Sequence, residues 1–305
     1  MLIGGPTASQ KTKLAIYIAK KIPAVIINAD TMQFYKDFKI LNNRPNDILS
    51  CKIEFRLFGT LDIPNFPNLG WWNKIIRKEI NNALEKKKLP IVVGGTGLYL
   101  NAIERETSFI PKIKNDVKKE ISNLHKKFGL KYLYKILREY DESSYYNLNP
   151  NDTYRIIRAL EVKKSTGKTL DFWKQKETDD NLKKKLKYYY LIINSDRDKL
   201  YKQIDLRFLK MIENGVLEEV KRFTKKKVNS NHPIFRMIGL KYLISYLDRK
   251  ISLDEAILSS QRDTRRYAKR QITWFKNQPL NANRFMYDEA VNFFSLSTCK
   301  NYFLF

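Results

Sequence analysis

The segment Gly4-Gly5-Pro6-Thr7-Ala8-Ser9-Gln10-Lys11-Thr12 holds the residue types that grip phosphate. Backbone N–H groups of a tight loop and of the helix after it point at an anion, a lysine adds a point charge, and a hydroxyl reaches a metal. The P-loop pattern is G-x-x-x-x-G-K-[ST]. Gly5, Lys11 and Thr12 fit it, and Gln10 stands where the second glycine belongs. The alternative is an ordinary Gly-rich turn before a helix. A second candidate is Asp30, which follows the apolar run Ala24 to Asn28. A carboxylate just beyond a buried strand can hold a metal, act as a base or cap a helix. Arg155 and Arg158 lie one turn apart on an expected helix, where they either grip neighbouring phosphates or are merely solvated. Finally, Gln261 to Phe275 interleaves Arg262, Arg265, Arg266, Lys269 and Arg270 with Tyr267 and Trp274. Such a helix tracks a nucleic-acid backbone or is a surface helix with snorkelling cations.

These residues need elements to position them. Leu14, Ala15, Ile18, Ala19 and Ile22 form one helical face directly after the loop. Ala24 to Asn28 and Leu89 to Val93 read as buried strands, with a helix from about Trp71 to Lys88 between them. Strand, helix and strand recur with loops on one side, which predicts a P-loop-containing, doubly wound parallel α/β core. Met1 stands only just ahead of Gly4, so either the first strand is truncated or the start lies further upstream. The stretch Phe55 to Ile63 is expected to add a strand or cover the site. The third strand runs into Gly94-Gly95, where a P-loop ATPase would carry an Asp. From Pro111 to Lys185 the pattern turns helical and charged. Asn115 to Phe128, Leu130 to Tyr140 and Asn151 to Ser165 read as helices, the last ended by Gly167. The domains expected are therefore a core of 1–110 with 186–305 and a helical insertion of 111–185. Tyr188 to Ile193 returns to the sheet and Asp196 to Gly215 forms a helix. No chemistry is legible in Asn281 to Phe305.

Composition narrows the classes. The 305 residues carry 58 basic and 32 acidic side chains, for a net charge of +26. That favours a polyanionic partner, nucleic acid before membrane, although part of the lysine excess fits an AT-rich coding bias. Cys51 and Cys299 are the only cysteines, and His125 and His232 the only histidines. A disulfide scaffold, a Cys/His metal site and a Ser/His triad are all disfavoured. No apolar run is long enough to span a bilayer and no signal peptide is visible, so a cytoplasmic protein is expected.

Taken together, the motifs resemble the tRNA dimethylallyltransferase (isopentenyltransferase) family of bacterial type, nearly end to end. The resemblance rests on GPTASQKT (Gly5 to Thr12), DTMQFY (Asp30 to Tyr35), VVGGTGLYL (Val92 to Leu100), NDTYRIIRALEV (Asn151 to Val162), DLRFLKM (Asp205 to Met211), RMIGLK (Arg236 to Lys241) and RRYAKRQITWF (Arg265 to Phe275). It implies transfer of a dimethylallyl group from dimethylallyl diphosphate to N6 of the adenosine 3′ of the anticodon, by a monomer using Mg²⁺. By that resemblance, the loop Gly5, Pro6, Thr7, Ala8, Ser9, Gln10, Lys11 and Thr12 holds the diphosphate, with Thr12 on Mg²⁺. Arg207 neutralises the leaving group and Asp30 takes the N6 proton. Implied RNA contacts are Asp30, Thr31, Met32, Gln33 and Thr96. Tyr154, Arg155, Ile156, Ile157 and Arg158 form a further group, Arg236, Met237, Ile238, Gly239, Leu240 and Lys241 another, and Arg265, Arg266, Lys269 and Arg270 a last one. The insertion would clasp the anticodon arm.

The chain departs from the family pattern in places. Gln10 replaces a glycine, Thr31 a serine and Tyr154 a common glutamine, and Leu41 to Pro45 replaces the usual Gly-Thr-Ala-Lys-Pro. If position 10 needs a left-handed backbone, its side chain costs about 1–2 kcal/mol. The alternatives are a catalytically weakened RNA-binding homologue or, further off, a P-loop small-molecule kinase.

Overall fold

A computed structural model of the chain describes residues 1–45, 53–104, 110–111, 113–175, 187–278 and 281–295. Cys51 and Cys299 lie outside them. The chain divides into two compact units, Met1–Glu104 with Lys187–Phe305, and Arg105–Leu186.

In the first unit β1 (Leu2–Gly4) leads through the phosphate loop into α1 (Lys11–Ala19) and β2 (Ala24–Asn28). Then come β3 (Glu54–Arg56), α2 (Leu69–Glu85), β4 (Leu89–Val93) and α3 (Gly97–Glu104). In the second unit lie α4 (Asn115–Tyr140), α5 (Glu142–Asn147), α6 (Thr153–Thr166) and α7 (Leu170–Gln175). The chain re-enters the first unit with β5 (Tyr190–Ile193), α8 (Arg197–Glu213), α9 (Val216–Thr224), α10 (Leu240–Leu247) and α11 (Leu253–Asn277). It closes with β6 (Asn283–Phe285) and α12 (Tyr287–Ser295).

The sheet has the order β3-β2-β4-β1-β5-β6, every pairing parallel. The fold is therefore α/β and doubly wound. β2 and β3 lie to one side of β1, and β5 and β6 to the other. The chain thus reverses direction across the sheet at β1, and ligands sit beyond the carboxyl ends of strands at such a point. The loops after β1, β2 and β4 all open there. β2 and β4 are buried throughout, as expected for central parallel strands. Leu14, Ala15 and Ile18 of α1 and Ala290 and Phe294 of α12 pack with the sheet residues Ile3, Ile26 and Ile91. A second core joins the segment after β2 (Tyr35, Phe38, Leu41) to α8, α9 and α10.

One expectation is met and one needs amendment. The stretch from Phe55 adds a strand as expected, the short β3 paired to β2. The basic helix starts at Leu253, well before Gln261, capped by Ser252 accepting from the Glu255 N–H at 3.1 Å. The region from Asn281, in which no chemistry is legible, holds a sixth strand and a helix.

The second unit has its own core of Ile113, Val117, Ile121, Leu133, Leu137, Ile156, Ala159, Leu160 and Val162. Gly129, at φ 77°, interrupts α4 where two helices were expected to meet. Asp152 caps α6 by accepting from the Arg155 N–H at 3.1 Å, and Gly167 ends it in the left-handed region.

Candidate active site

Beyond β1, β2 and β4 lies a cavity of about 790 Å³. Thr7, Ala8, Gln10, Lys11 and Thr12 of the phosphate loop line it, as do Asp30 to Gln33, Gly94, Gly95, Arg207 and Tyr267.

The loop is held by its own contacts. Lys11 Nζ donates to the Pro6 carbonyl at 2.5 Å and approaches Ser9 Oγ at 3.5 Å. The Ser9 N–H donates to the Pro6 carbonyl at 3.3 Å, closing the turn. Gln10 caps α1 at φ 64° and ψ 19°, the left-handed region that favours glycine. Ala8 also has φ 64°. Position 10 thus has the backbone that a glycine would take freely. The first N–H groups of α1 have no partner within the helix and face the cavity end.

Asp30 is held by the strand that carries it. Its N–H donates to Asn28 Oδ1 at 2.8 Å, and Asn28 Nδ2 donates to its carbonyl at 3.0 Å. Asp30 Oδ1 accepts from the Met32 N–H at 3.0 Å, capping the short turn Thr31–Phe34. It therefore caps a turn and also faces the cavity. Gln33 turns back, its Nε2 donating to the carbonyls of Asn42 at 3.1 Å and Asn43 at 3.0 Å.

Arg207 comes from α8, far along the chain. Its Nη2 donates to Thr7 Oγ1 at 2.9 Å. Lys11, Asp30 and Arg207 share one electrostatic environment. Burial pushes the Lys11 ammonium down to about 7 and the Arg207 guanidinium down to about 10, each partly offset by the charge of Asp30. Burial also raises the Asp30 carboxyl, against the Met32 N–H and the two cations. Tyr267 is raised by burial and then by Asp30, and its side chain meets Thr96. The site thus holds more cationic side chains than it can solvate, which suits a multiply charged anion.

Glycine after β4 has a packing reason. A Cβ on Gly94 would collide with the Ala29 carbonyl, and one on Gly95 with the Gln271 amide. Gln271, on α11, is buried and was not among the residues expected at the site. Its Oε1 accepts from the Thr7 N–H at 2.8 Å, and its Nε2 donates to the Gly95 carbonyl at 2.8 Å. The signal in the sequence was a glutamine in step with Thr264, Ala268 and Phe275, the buried face of a helix otherwise read for its charges.

The RNA-contact candidates divide. Thr31, Met32, Gln33, Arg236, Met237, Ile238 and Arg270 line the cavity, with Met237 largely buried. Leu240 is fully buried in the core around α10, and Gly239 starts that helix at φ 91°. A contact through the Leu240 side chain is therefore corrected. Lys241 pairs with Asp263 at 3.4 Å. On α11, Arg265 turns inward to Asp205 at 2.5 Å, whereas Arg266, Lys269 and Arg270 are exposed. Tyr154 to Arg158 lie on α6 in the second unit. There Tyr154 is exposed, Arg155 pairs with Asp152 and Arg158 with Glu161. Ile156 is fully buried in that unit's core, which removes its side chain from any RNA surface.

No group of three or more His, Cys, Asp or Glu is placed to hold a metal among the described residues. Thr12 and Asp30 nevertheless line the same cavity. The Thr12 hydroxyl beside an anion site suits Mg²⁺, which keeps waters and substrate oxygens as its remaining ligands. Among the described residues no helix is long and apolar enough to cross a membrane.

Comparison with known proteins shows the family. The family model for IPP transferase matches residues 33–278. A tRNA dimethylallyltransferase of Ehrlichia canis is 37% identical over 302 residues, 99% of this chain and 98% of that protein. One from Pelagibacter ubique is 40% identical over 91% of this chain and 88% of its own. The tRNA isopentenylpyrophosphate transferase of Bacillus halodurans superposes with a TM-score of 0.67 at 28% identity, covering 96% of this chain and 94% of that one. A eukaryotic dimethylallyltransferase solved acting on tRNA gives 0.76 at 26% identity, over 90% of this chain and 69% of its own. By sequence along almost its whole length, the chain belongs to the IPP transferase family, that of the tRNA dimethylallyltransferases.

Proposed function

We propose that this chain transfers a dimethylallyl group from dimethylallyl diphosphate to N6 of the adenosine immediately 3′ of the anticodon in tRNA, releasing diphosphate. The observation that carries the reading is the convergence of Lys11, Asp30 and Arg207 on one cavity behind a phosphate loop. Loop amides, Lys11 and Arg207 bind the diphosphate and hold the charge that develops as the allylic C–O bond breaks. Asp30, fixed by Asn28 and Met32, accepts the proton that N6 loses as it attacks the allylic carbon. Its raised pKa makes it a better proton acceptor than an exposed carboxylate. Thr12 would hold Mg²⁺, which when bound adds positive charge beside the diphosphate. The target base leaves its stack to enter the cavity past Thr31 to Gln33 and Arg236 to Ile238. Arg266, Lys269 and Arg270 meet the RNA backbone, and the helical unit, through Tyr154, Arg155 and Arg158, holds the anticodon arm. On this reading the protein works as a monomer in the cytoplasm.

The test is prenyl transfer from labelled dimethylallyl diphosphate to an unmodified anticodon stem-loop with Mg²⁺. Label is expected with the target adenosine and not when guanosine replaces it. Asp30→Asn should slow transfer by roughly 10²–10⁴-fold while the stem-loop still binds. Transfer that survives that change at full rate would remove Asp30 as the base. A second reading, an RNA-binding homologue with a weakened diphosphate site, is favoured by the left-handed backbone at Gln10. Stem-loop binding without label would support it.

A further inference from the structure

We infer that Gln271 is a positioning residue for the diphosphate site, the part that fixes the phosphate loop against the loop after β4. The inference rests on the diphosphate reading of Gly5 to Thr12. The Gln271 side chain is 6% exposed and joins two main-chain groups that no strand pairs. Thr7 N–H donates to Oε1 and Nε2 donates to Gly95 O, both at 2.8 Å. Only one orientation of the amide satisfies both, so the bridge has a direction. Thr7 is then held twice, at its main chain by α11 and at its hydroxyl by Arg207 of α8.

Two consequences follow for the chemistry. The Thr7 amide is engaged by Gln271 and the Ser9 amide by the Pro6 carbonyl, so the diphosphate draws on the other loop amides and those that open α1, next to Lys11 and Thr12. Arg207, donating to the Thr7 hydroxyl, is aimed through a residue whose peptide Gln271 fixes. Removing the amide leaves a buried N–H and a buried carbonyl unpaired and frees the peptide to rotate.

The experiment uses the full-length chain and inorganic diphosphate with Mg²⁺ as the probe, competing against dimethylallyl diphosphate. Gln271→Met, of similar volume, should weaken diphosphate binding and lower transfer at limiting donor by roughly 10- to 100-fold. Stem-loop affinity should hold, because the exposed face of α11 is untouched. Gln271→Glu supplies a signature that general destabilisation does not. An ionised carboxylate accepts from Thr7 but cannot donate to Gly95, whereas a protonated one does both. Its diphosphate affinity, relative to wild type at each pH, should therefore recover as pH falls. The titratable groups around it, Lys11, Asp30, Arg207, Tyr267 and Arg270, are common to both proteins. Diphosphate binding by Gln271→Met equal to wild type, or a flat ratio for Gln271→Glu, would overturn the inference. A wild-type chain that binds diphosphate no better than Lys11→Met would instead overturn the diphosphate reading, and this inference with it.

Discussion

Lys11, Asp30 and Arg207 share one cavity, and burial disfavours the charged form of each. Lys11 sets the pH behaviour. In the open site it loses its proton near pH 7, whereas in an unfolded chain it keeps it to about 10.4. Between those values the unfolded chain binds the extra proton, so stability rises with pH across that window. Lys11→Met should lack this rise, which thermal unfolding across the window measures. Bound diphosphate restores the ammonium. Calorimetry near neutrality in two buffers of different ionisation heat should therefore read a proton uptake that Lys11→Met abolishes. Equal uptake in both proteins would remove Lys11 from the linkage. At this scale the sequence was informative: Lys11, Thr12 and Asp30 stand out by residue type and spacing, Arg207 through the family resemblance, and all four line one cavity. Gln271 was not legible, because its partners Thr7 and Gly95 lie 264 and 176 residues away. Only the fold brings them together.

Among the elements, the turn at Lys39 to Leu41 depends on α9. Glu219, 4% exposed, accepts from the N–H groups of Lys39, Ile40 and Leu41 at 2.5, 2.8 and 2.8 Å. Next to them Asn42 Nδ2 donates to the Met32 carbonyl at 3.1 Å, and Gln33 returns the contact. One carboxylate thus braces the wall that carries Asp30 to Gln33. Glu219→Ala leaves three amides unpaired and should cost about 2–4 kcal/mol, read from denaturant unfolding. A loss below about 0.5 kcal/mol would mean that the segment holds itself. Elements with strong patterns were readable in advance. β2 and β4 stand where their apolar, β-branched runs placed them, and Gly129 and Gly167 broke helices as glycines do. β6 was missed because Asn283-Arg284-Phe285 is short and largely exposed, with no alternation to mark it. The side chains of Ile156 and Leu240 are core, which their motifs do not reveal: motif membership says nothing about which way a side chain faces.

Over the whole molecule, the net charge of +26 acts at a distance. Nucleic-acid affinity should fall with salt, by roughly 0.7–0.9 in log–log slope for each phosphate neutralised. Arg266 and Lys269 are exposed on α11, Arg266 sharing Asp263 at 3.6 Å, whereas Arg265 is half-buried on Asp205. Replacing Arg266 and Lys269 together by Ala should flatten the slope for stem-loop binding by about 1–2. An unchanged slope would take α11 off the RNA path. The same helix bears on how the protein is made. β1 and the phosphate loop leave the ribosome ahead of α11, and the Gln271 that completes the loop is 264 residues behind Thr7. At about 5–20 residues per second, this interval is on the order of ten to fifty seconds. During synthesis the emerging loop lacks its brace, so a nascent or prematurely ended chain offers the cell's diphosphates no finished cradle.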